Sequence, residues 1–283
     1  MKRIKYFKYS ALGNDFLIVD LLKDNYAKID FNDLALNICD RHFGVGADGI
    51  MVLSRSKKAD CCLDLFNSDG SWAEKSGNGL RASAAYYYSY HSKKKNLIFE
   101  INDELATAGI IKKSGNNYSI QVTLGKPEFE TTKIPMKSSS KFHINEDIIL
   151  ENNKFPVTVL SVGNPHTVMF VNSFDFDWKE LGEIIENCKY FPNRTNVEFG
   201  KIASRSKIIL NDWERGAGAT GSSGTGAAAA VVAGVVNGFV DRKAEVVFPS
   251  GSLFLEWNEK DDIIYLTGPV LFICSGEYIY NPA

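Results

Sequence analysis

The chain has 283 residues, of which 45% are hydrophobic and 23% charged, and its net charge is −2. That length accommodates two cores of ordinary size, and the composition is that of a soluble globular protein. The near-neutral balance excludes the basic excess of a nucleic-acid-binding surface, and no apolar run reaches membrane-spanning length, because Ala227 to Val236 stops at Asn237-Gly238.

In chain order, the first half reads as strands over Ile4–Tyr9 and Phe16–Val19, a helix over Phe31–Cys39, and strands over Gly49–Leu53 and Cys61–Phe66. A loop over Asn67–Gly79 leads into a helix at Leu80–Tyr90. Strands follow over Leu97–Ile101, Ala106–Ile111 and Tyr118–Leu124. The second half repeats this order loosely. It has strands over Val157–Val162 and Thr167–Val171, a helix over Trp178–Cys188, and strands over Asn196–Gly200 and Lys207–Trp213. A glycine-rich loop and the helix Ala227–Val236 come next, then strands over Glu245–Phe248, Leu253–Trp257, Ile263–Thr267 and Val270–Ile273. The helix Ala227–Val236 is apolar all round, which predicts burial inside a sheet curled about it. The repeated order predicts an α/β fold of two similar domains, each a mostly antiparallel sheet around a central helix. Gly125-Lys126-Pro127 and Gly268-Pro269 read as crossovers, dividing the chain into 1–124 plus 269–283 and 125–268.

Cys39, Cys61, Cys62, Cys188 and Cys274 are odd in number and lack CxxC spacing, so reduced thiols in a cytoplasmic protein are expected. The N-terminus runs into a strand pattern without a signal-peptide apolar stretch. Of the histidines, only His166 lies in a motif of interest, and no pair has metal-ligand spacing.

Two turns read almost the same: Ser76-Gly77-Asn78-Gly79-Leu80-Arg81 and Ser223-Gly224-Thr225-Gly226-Ala227. Each sets a serine before a small-residue helix, whose unpaired N–H groups and positive dipole end attract a carboxylate. One such turn per half predicts a small anionic substrate held between two facing side chains. Further polar strings are Gly13-Asn14-Asp15-Phe16, Gly44-Val45-Gly46-Ala47-Asp48-Gly49, Phe66-Asn67-Ser68-Asp69-Gly70-Ser71, Gly163-Asn164-Pro165-His166, Thr195-Asn196-Val197 and Trp213-Glu214-Arg215-Gly216-Ala217-Gly218. Each alone is an ordinary turn or surface pair; their order and spacing together are specific.

With these motifs the chain resembles the diaminopimelate epimerase family, nearly end to end, from Gly13-Asn14-Asp15-Phe16 to Thr267-Gly268-Pro269. The resemblance implies a cofactor-free isomerase of lysine and cell-wall precursor synthesis, with its site in a cleft between two domains and an acid and a base on opposite faces of the substrate α-carbon. It implies that Asn14, Asn67, Asn164, His166, Asn196, Glu214 and Arg215 hold a diamino-diacid, and that the Gly77-Asn78 and Gly224-Thr225 turns hold the reacting carboxylate. Arg215 suits a bidentate carboxylate contact and Glu214 an ammonium. The partner implied is a small-molecule amino acid, without nucleic acid or membrane; the family is often dimeric, which allows a homodimer. The chain departs from the pattern at the acid and base themselves, where Ser76 and Ser223 replace cysteines. Lys75 and Ala219 also depart, standing where an uncharged residue and a glutamate are common. A thiol ordinarily titrates at about 8.5 and a serine hydroxyl is far less acidic, so a serine base needs a proton acceptor, for which His166 is the candidate. Another amino-acid isomerase of the same fold, and a non-catalytic ligand-binding homologue, are the alternatives.

Overall fold

The computed structural model describes residues 1–26, 29–73 and 76–281, and divides into two compact units, 1–122 with 268–283 and 123–267. In the first unit, β1 (Lys2–Ala11) and β2 (Asn14–Asp20) form an antiparallel hairpin. The helix α1 (Phe31–Ile38) carries the chain to β3 (Gly49–Ser54), parallel to β2. Then β4 (Cys61–Asn67) pairs antiparallel with β3 and with the short β5 (Trp72–Ala73). The helix α2 (Gly77–Tyr90) leads to β6 (Asn96–Ile101), parallel to β4, and the meander closes through β7 (Glu104–Ser114) and β8 (Asn117–Gly125).

The second unit opens with β9 (Glu146–Leu150) on the edge of β10 (Asn153–Ser161), and then repeats the scheme. β10 pairs antiparallel with β11 (Pro165–Phe170), and α3 (Trp178–Glu186) crosses to β12 (Asn196–Ser204), parallel to β11. β13 (Lys207–Glu214) pairs antiparallel with β12 and with the short β14 (Gly218–Thr220). After α4 (Gly224–Val236), β15 (Lys243–Phe248) lies parallel to β13 and antiparallel to β16 (Gly251–Trp257), which pairs with the start of β17 (Ile264–Tyr280). The same parallel and antiparallel pairings recur in the same order, so the repeat holds at the level of hydrogen-bonded ladders.

Each unit wraps its strands around one helix. Residues Gly79 to Tyr86 of α2 and Gly226 to Gly234 of α4 are all buried. Alanines and glycines dominate α4, so strands approach it on every side. α1 and α3 seal the outer face of each sheet, α1 with Leu34, Ala35 and Ile38 against Leu17, Val19 and Ile50, and α3 with Ile185 against Val197 and Phe199.

Three sequence expectations change. Both central helices start three residues earlier than periodicity suggests, because a serine cap opens them across the glycines that read as loop. The strands β5, β9 and β14 carry too few residues, or too little alternation, to be seen in sequence. The pair Gly268-Pro269 does not break the chain into two strands, and both unit divisions fall within strands, β8 and β17. Pro269 lies between the ladder of β17 with β16, which ends at Thr267, and its ladder with β1, which begins at Leu271.

Candidate functional site

The two serine turns have the same local geometry. Ser76 and Ser223 are N-caps in extended conformation, with φ −143° and −125°. Ser76 Oγ accepts from Gly79 N at 3.0 Å, and Ser223 Oγ accepts from Gly226 N at 3.1 Å. The amides before these, Gly77 and Asn78 in α2, Gly224 and Thr225 in α4, come too early in their helices to have an i→i−4 partner. Each turn thus presents two N–H groups at a positive dipole end, the arrangement that receives a carboxylate.

In the first unit, Asn78 Nδ2 donates to Asn14 Oδ1 at 3.0 Å, and Asn14 Nδ2 donates to Asp48 Oδ2 at 2.7 Å. Gly46, at φ +77°, turns the Gly44–Gly49 loop so that Asp48 reaches β2, where its Oδ2 also accepts from Asp15 N at 2.9 Å. Arg41 bridges Asp15 and Asp48, each at 2.8 Å, and Lys8 lies 2.9 Å from Asp15. Burial pushes the Asp15 carboxyl up, but Arg41 and Lys8 together outweigh it and hold the group below its ordinary range. Arg81, fully buried on α2, donates to Asn78 Oδ1 at 2.6 Å. Asn67, at the end of β4, donates to Ser71 Oγ at 3.0 Å, and its amide oxygen has no hydrogen-bond partner among the described residues. Lys75 lies outside the described residues.

The second unit gathers its residues on the ends of β11, β12 and β13. His166 is paired in register with Asn196. Its Nε2 lies 2.9 Å from Asn164 Oδ1 and its Nδ1 2.6 Å from Glu198 Oε1. The His166–Glu198 pair is buried, 0% and 1% exposed, and Glu198 Oε2 has no hydrogen-bond partner among the described residues. Asn196 donates to Pro165 O at 2.7 Å and accepts from Arg215 N at 3.0 Å, so it holds the turn that carries Arg215. Arg215 is exposed, with Nη1 donating to Asn193 O at 3.2 Å. Thr220 Oγ1 contacts both Asp212 Oδ2 and Glu214 Oε1, the latter at 2.6 Å. One hydroxyl proton cannot serve two carboxylates at once. Burial raises Asp212 to about 7, against the pull of the Thr220 hydroxyl, and its Oδ1 is buried without a partner among the described residues, which favours its protonated form. Burial also raises Glu198, opposed by His166.

Sequence reasoning missed Glu198, Asp212, Thr220 and Arg81. The signal for the two acids is a charge at an inward position of an alternating strand, Glu198 between Val197 and Phe199 and Asp212 two residues beyond Leu210. His166 does not stand open as a proton acceptor for a serine, because both its ring nitrogens already face oxygens of its own unit. Glu198 and Ser223 both border Gly226: a Cβ placed there would lie 3.0 Å from Glu198 Oε1 and 3.1 Å from Ser223 Oγ. Ala219 is exposed on β14, opposite Trp213. Among the described residues, no group of three or more His, Cys, Asp or Glu side chains is placed to hold a metal ion.

Residues 6–130 and 158–273 match the family model of diaminopimelate epimerase. A diaminopimelate epimerase of Carboxydothermus hydrogenoformans is 42% identical, covering 97% of this chain and 99% of its own length. One from Pelotomaculum thermopropionicum is 40% identical, covering 98% and 99%. Among solved structures, a hydroxyproline epimerase of Agrobacterium vitis superposes with a TM-score of 0.66 at 11% identity, covering 97% of this chain and 92% of that one. A phenazine biosynthesis protein of Bacillus anthracis superposes with a TM-score of 0.65 at 16% identity, covering 99% and 100%. At such identities these two show the shared fold alone.

Proposed function

Since the chain belongs to the diaminopimelate epimerase family, we propose that it interconverts LL- and meso-diaminopimelate by proton transfer at the α-carbon, without pyridoxal phosphate, in lysine biosynthesis. The observation that carries this reading is the repeated pair of helix N-termini, each with two amides free of helical partners beside a capping serine. A carboxylate bound there withdraws charge from the adjacent carbon as its proton leaves, which is electrostatic stabilisation of a developing carbanion. Ser76 and Ser223 take the places of the acid and the base. Asn164 keeps its Nδ2 donors, and Asn67 its carbonyl oxygen, for the substrate. Arg215 and Glu214 recognise the distal carboxylate and ammonium; exposure of Arg215 in this structure leaves its guanidinium ready for that contact. Five free thiols, and the absence among the described residues of a helix long and apolar enough to cross a membrane, support a cytoplasmic location.

A ligand-binding homologue is the second reading, and one observation favours it: each serine hydroxyl already serves as the cap of its own helix. Incubation with LL-diaminopimelate in deuterated water separates the two. Inversion with deuterium at the α-carbon is the expected result. Calorimetric binding without label uptake supports the second reading, and neither binding nor uptake overturns both.

A further inference from the structure

Asn14 and Asn78 belong to a hydrogen-bonded chain that has a direction. Arg81 Nη2 donates to Asn78 Oδ1 at 2.6 Å, Asn78 Nδ2 donates to Asn14 Oδ1 at 3.0 Å, and Asn14 Nδ2 donates to Asp48 Oδ2 at 2.7 Å. Two neighbouring amides on their own could be turned end for end and still bond to each other. A guanidinium only donates and a carboxylate only accepts. With one at each end, a single orientation of both amides satisfies the chain: oxygen toward Arg81, nitrogen toward Asp48. Turning either amide would set donor against donor or acceptor against acceptor.

The two ends are anchored differently. Asp48 is partly exposed and shares Arg41 with Asp15. Arg81 is 0% exposed; among the described residues its Nε has no hydrogen-bond partner and its Nη1 reaches only Gly77 O, at 3.4 Å. Among the described residues no carboxylate pairs with it. Burial lowers its pKa to about 10, which still leaves it charged at neutral pH. A cation without a carboxylate partner among the described residues, its guanidinium set against the first turn of α2, adds to the positive end of the helix dipole.

We propose that Arg81 and Asp48 are positioning residues that polarise the Asn14–Asn78 pair and thereby fix which amide atoms meet the ligand at the α2 N-terminus. In the enforced orientation Asn78 Nδ2 keeps one hydrogen beyond that given to Asn14, beside the Gly77 and Asn78 backbone N–H groups. The turn then offers donors and positive potential, which suits a carboxylate and rejects an ammonium or an amide N–H. The role in ligand recognition rests on the function proposed above; the orientation of the amides does not.

The test uses 15N- and 13C-labelled full-length protein, with side-chain amide resonances of Asn14 and Asn78 and calorimetry with diaminopimelate. In the unaltered chain a scalar coupling across the hydrogen bond is expected from Asn14 Nδ2 to the Asp48 carboxylate carbon. Asp48→Asn, nearly isosteric, should reduce it, shift both amide pairs and weaken binding about threefold to tenfold. Arg81→Met should weaken binding comparably, Arg81→Lys much less, and the Asp48→Asn, Arg81→Met pair by more than the product of the singles, because either end alone still sets a direction. Should Arg81→Met not fold, Asp48→Asn and Arg81→Lys decide. Amide resonances unmoved by Asp48→Asn, or equal losses with Arg81→Lys and Arg81→Met, would overturn the proposal. Normal binding by Asn14→Ala and Asn78→Ala would overturn the ligand reading instead, and the resonances would still decide the chain.

Discussion

The two units share a ladder scheme, but the side chains beneath their serine turns differ in kind. In the first unit Phe16, Met51 and Leu65 occupy the inward positions at the ends of β2, β3 and β4, joined by the registers Phe16↔Gly49 and Met51↔Leu65. In the second unit the same registers, His166↔Asn196 and Glu198↔Asp212, put His166, Glu198 and Asp212 there. All six are buried. The match extends to the helix: the third glycine-turn position, Gly79 or Gly226, packs against Met51 Sδ in one unit and Glu198 Oε1 in the other. An apolar trio lies under Ser76 and a titratable trio under Ser223, while the α2 helix that Ser76 caps buries a cation, Arg81, with no carboxylate partner among the described residues. A duplicated frame has therefore placed its two serines in opposite fields. Stability alone does not ask for this, since apolar residues fill the same three positions in the sister unit.

The largest effect expected concerns the serines. The double variant Ser76→Cys, Ser223→Cys should epimerise diaminopimelate at least ~10²-fold faster than the unaltered chain, because a thiolate is accessible near neutral pH and an alkoxide is not. The comparison adds a split: a thiol introduced at position 76, near Arg81, should titrate below one introduced at 223, near Glu198. Ultraviolet thiolate titration of the single variants measures both, and the reverse order would refute the opposed fields. Next in size is conversion of one trio into the other, His166→Phe, Glu198→Met, Asp212→Leu. Replacing a buried ionic group by apolar residues of similar volume is neutral or stabilises by about 1–4 kcal/mol, so denaturant midpoints should hold or rise while diaminopimelate binding is lost. Retained binding would make the trio mere packing.

A smaller effect follows from Asp212 by itself. Its folded pKa, raised to about 7 by burial, lies above the ordinary carboxylate value of about 3.9. The folded state therefore prefers the protonated form, and stability from this group is full below the unfolded value and is lost as pH rises through the folded one. Asp212→Asn keeps a donor for Thr220 and removes the titration. Its melting temperature relative to the unaltered chain should climb between pH 4 and pH 7 and level off above; a constant difference would show that Asp212 is ionised throughout. Last are the caps. Their geometry is the same in both units, so Ser76→Ala and Ser223→Ala should each cost about 1 kcal/mol in urea unfolding. Unequal costs would mean that one hydroxyl has a structural partner that the other lacks.

The sequence by itself determined the elements, because hydrophobic period and glycine punctuation are local properties of the chain. The central helix Ala227–Val236, apolar on all sides, announced a helix wrapped by strands, and the repeated order of elements announced the duplication. Motif strings also identified the polar positions of both turns. Tertiary structure decided which groups those positions meet. Glu198 and Asp212 lie on different strands and become neighbours only through the β12–β13 register, and Asp48 reaches Asn14 only because Gly46 turns its loop. Arg81 read as one more helix residue until burial stripped it of water. Ionisation, amide orientation and pairing depend on what surrounds a side chain in three dimensions, and a linear pattern does not carry that information.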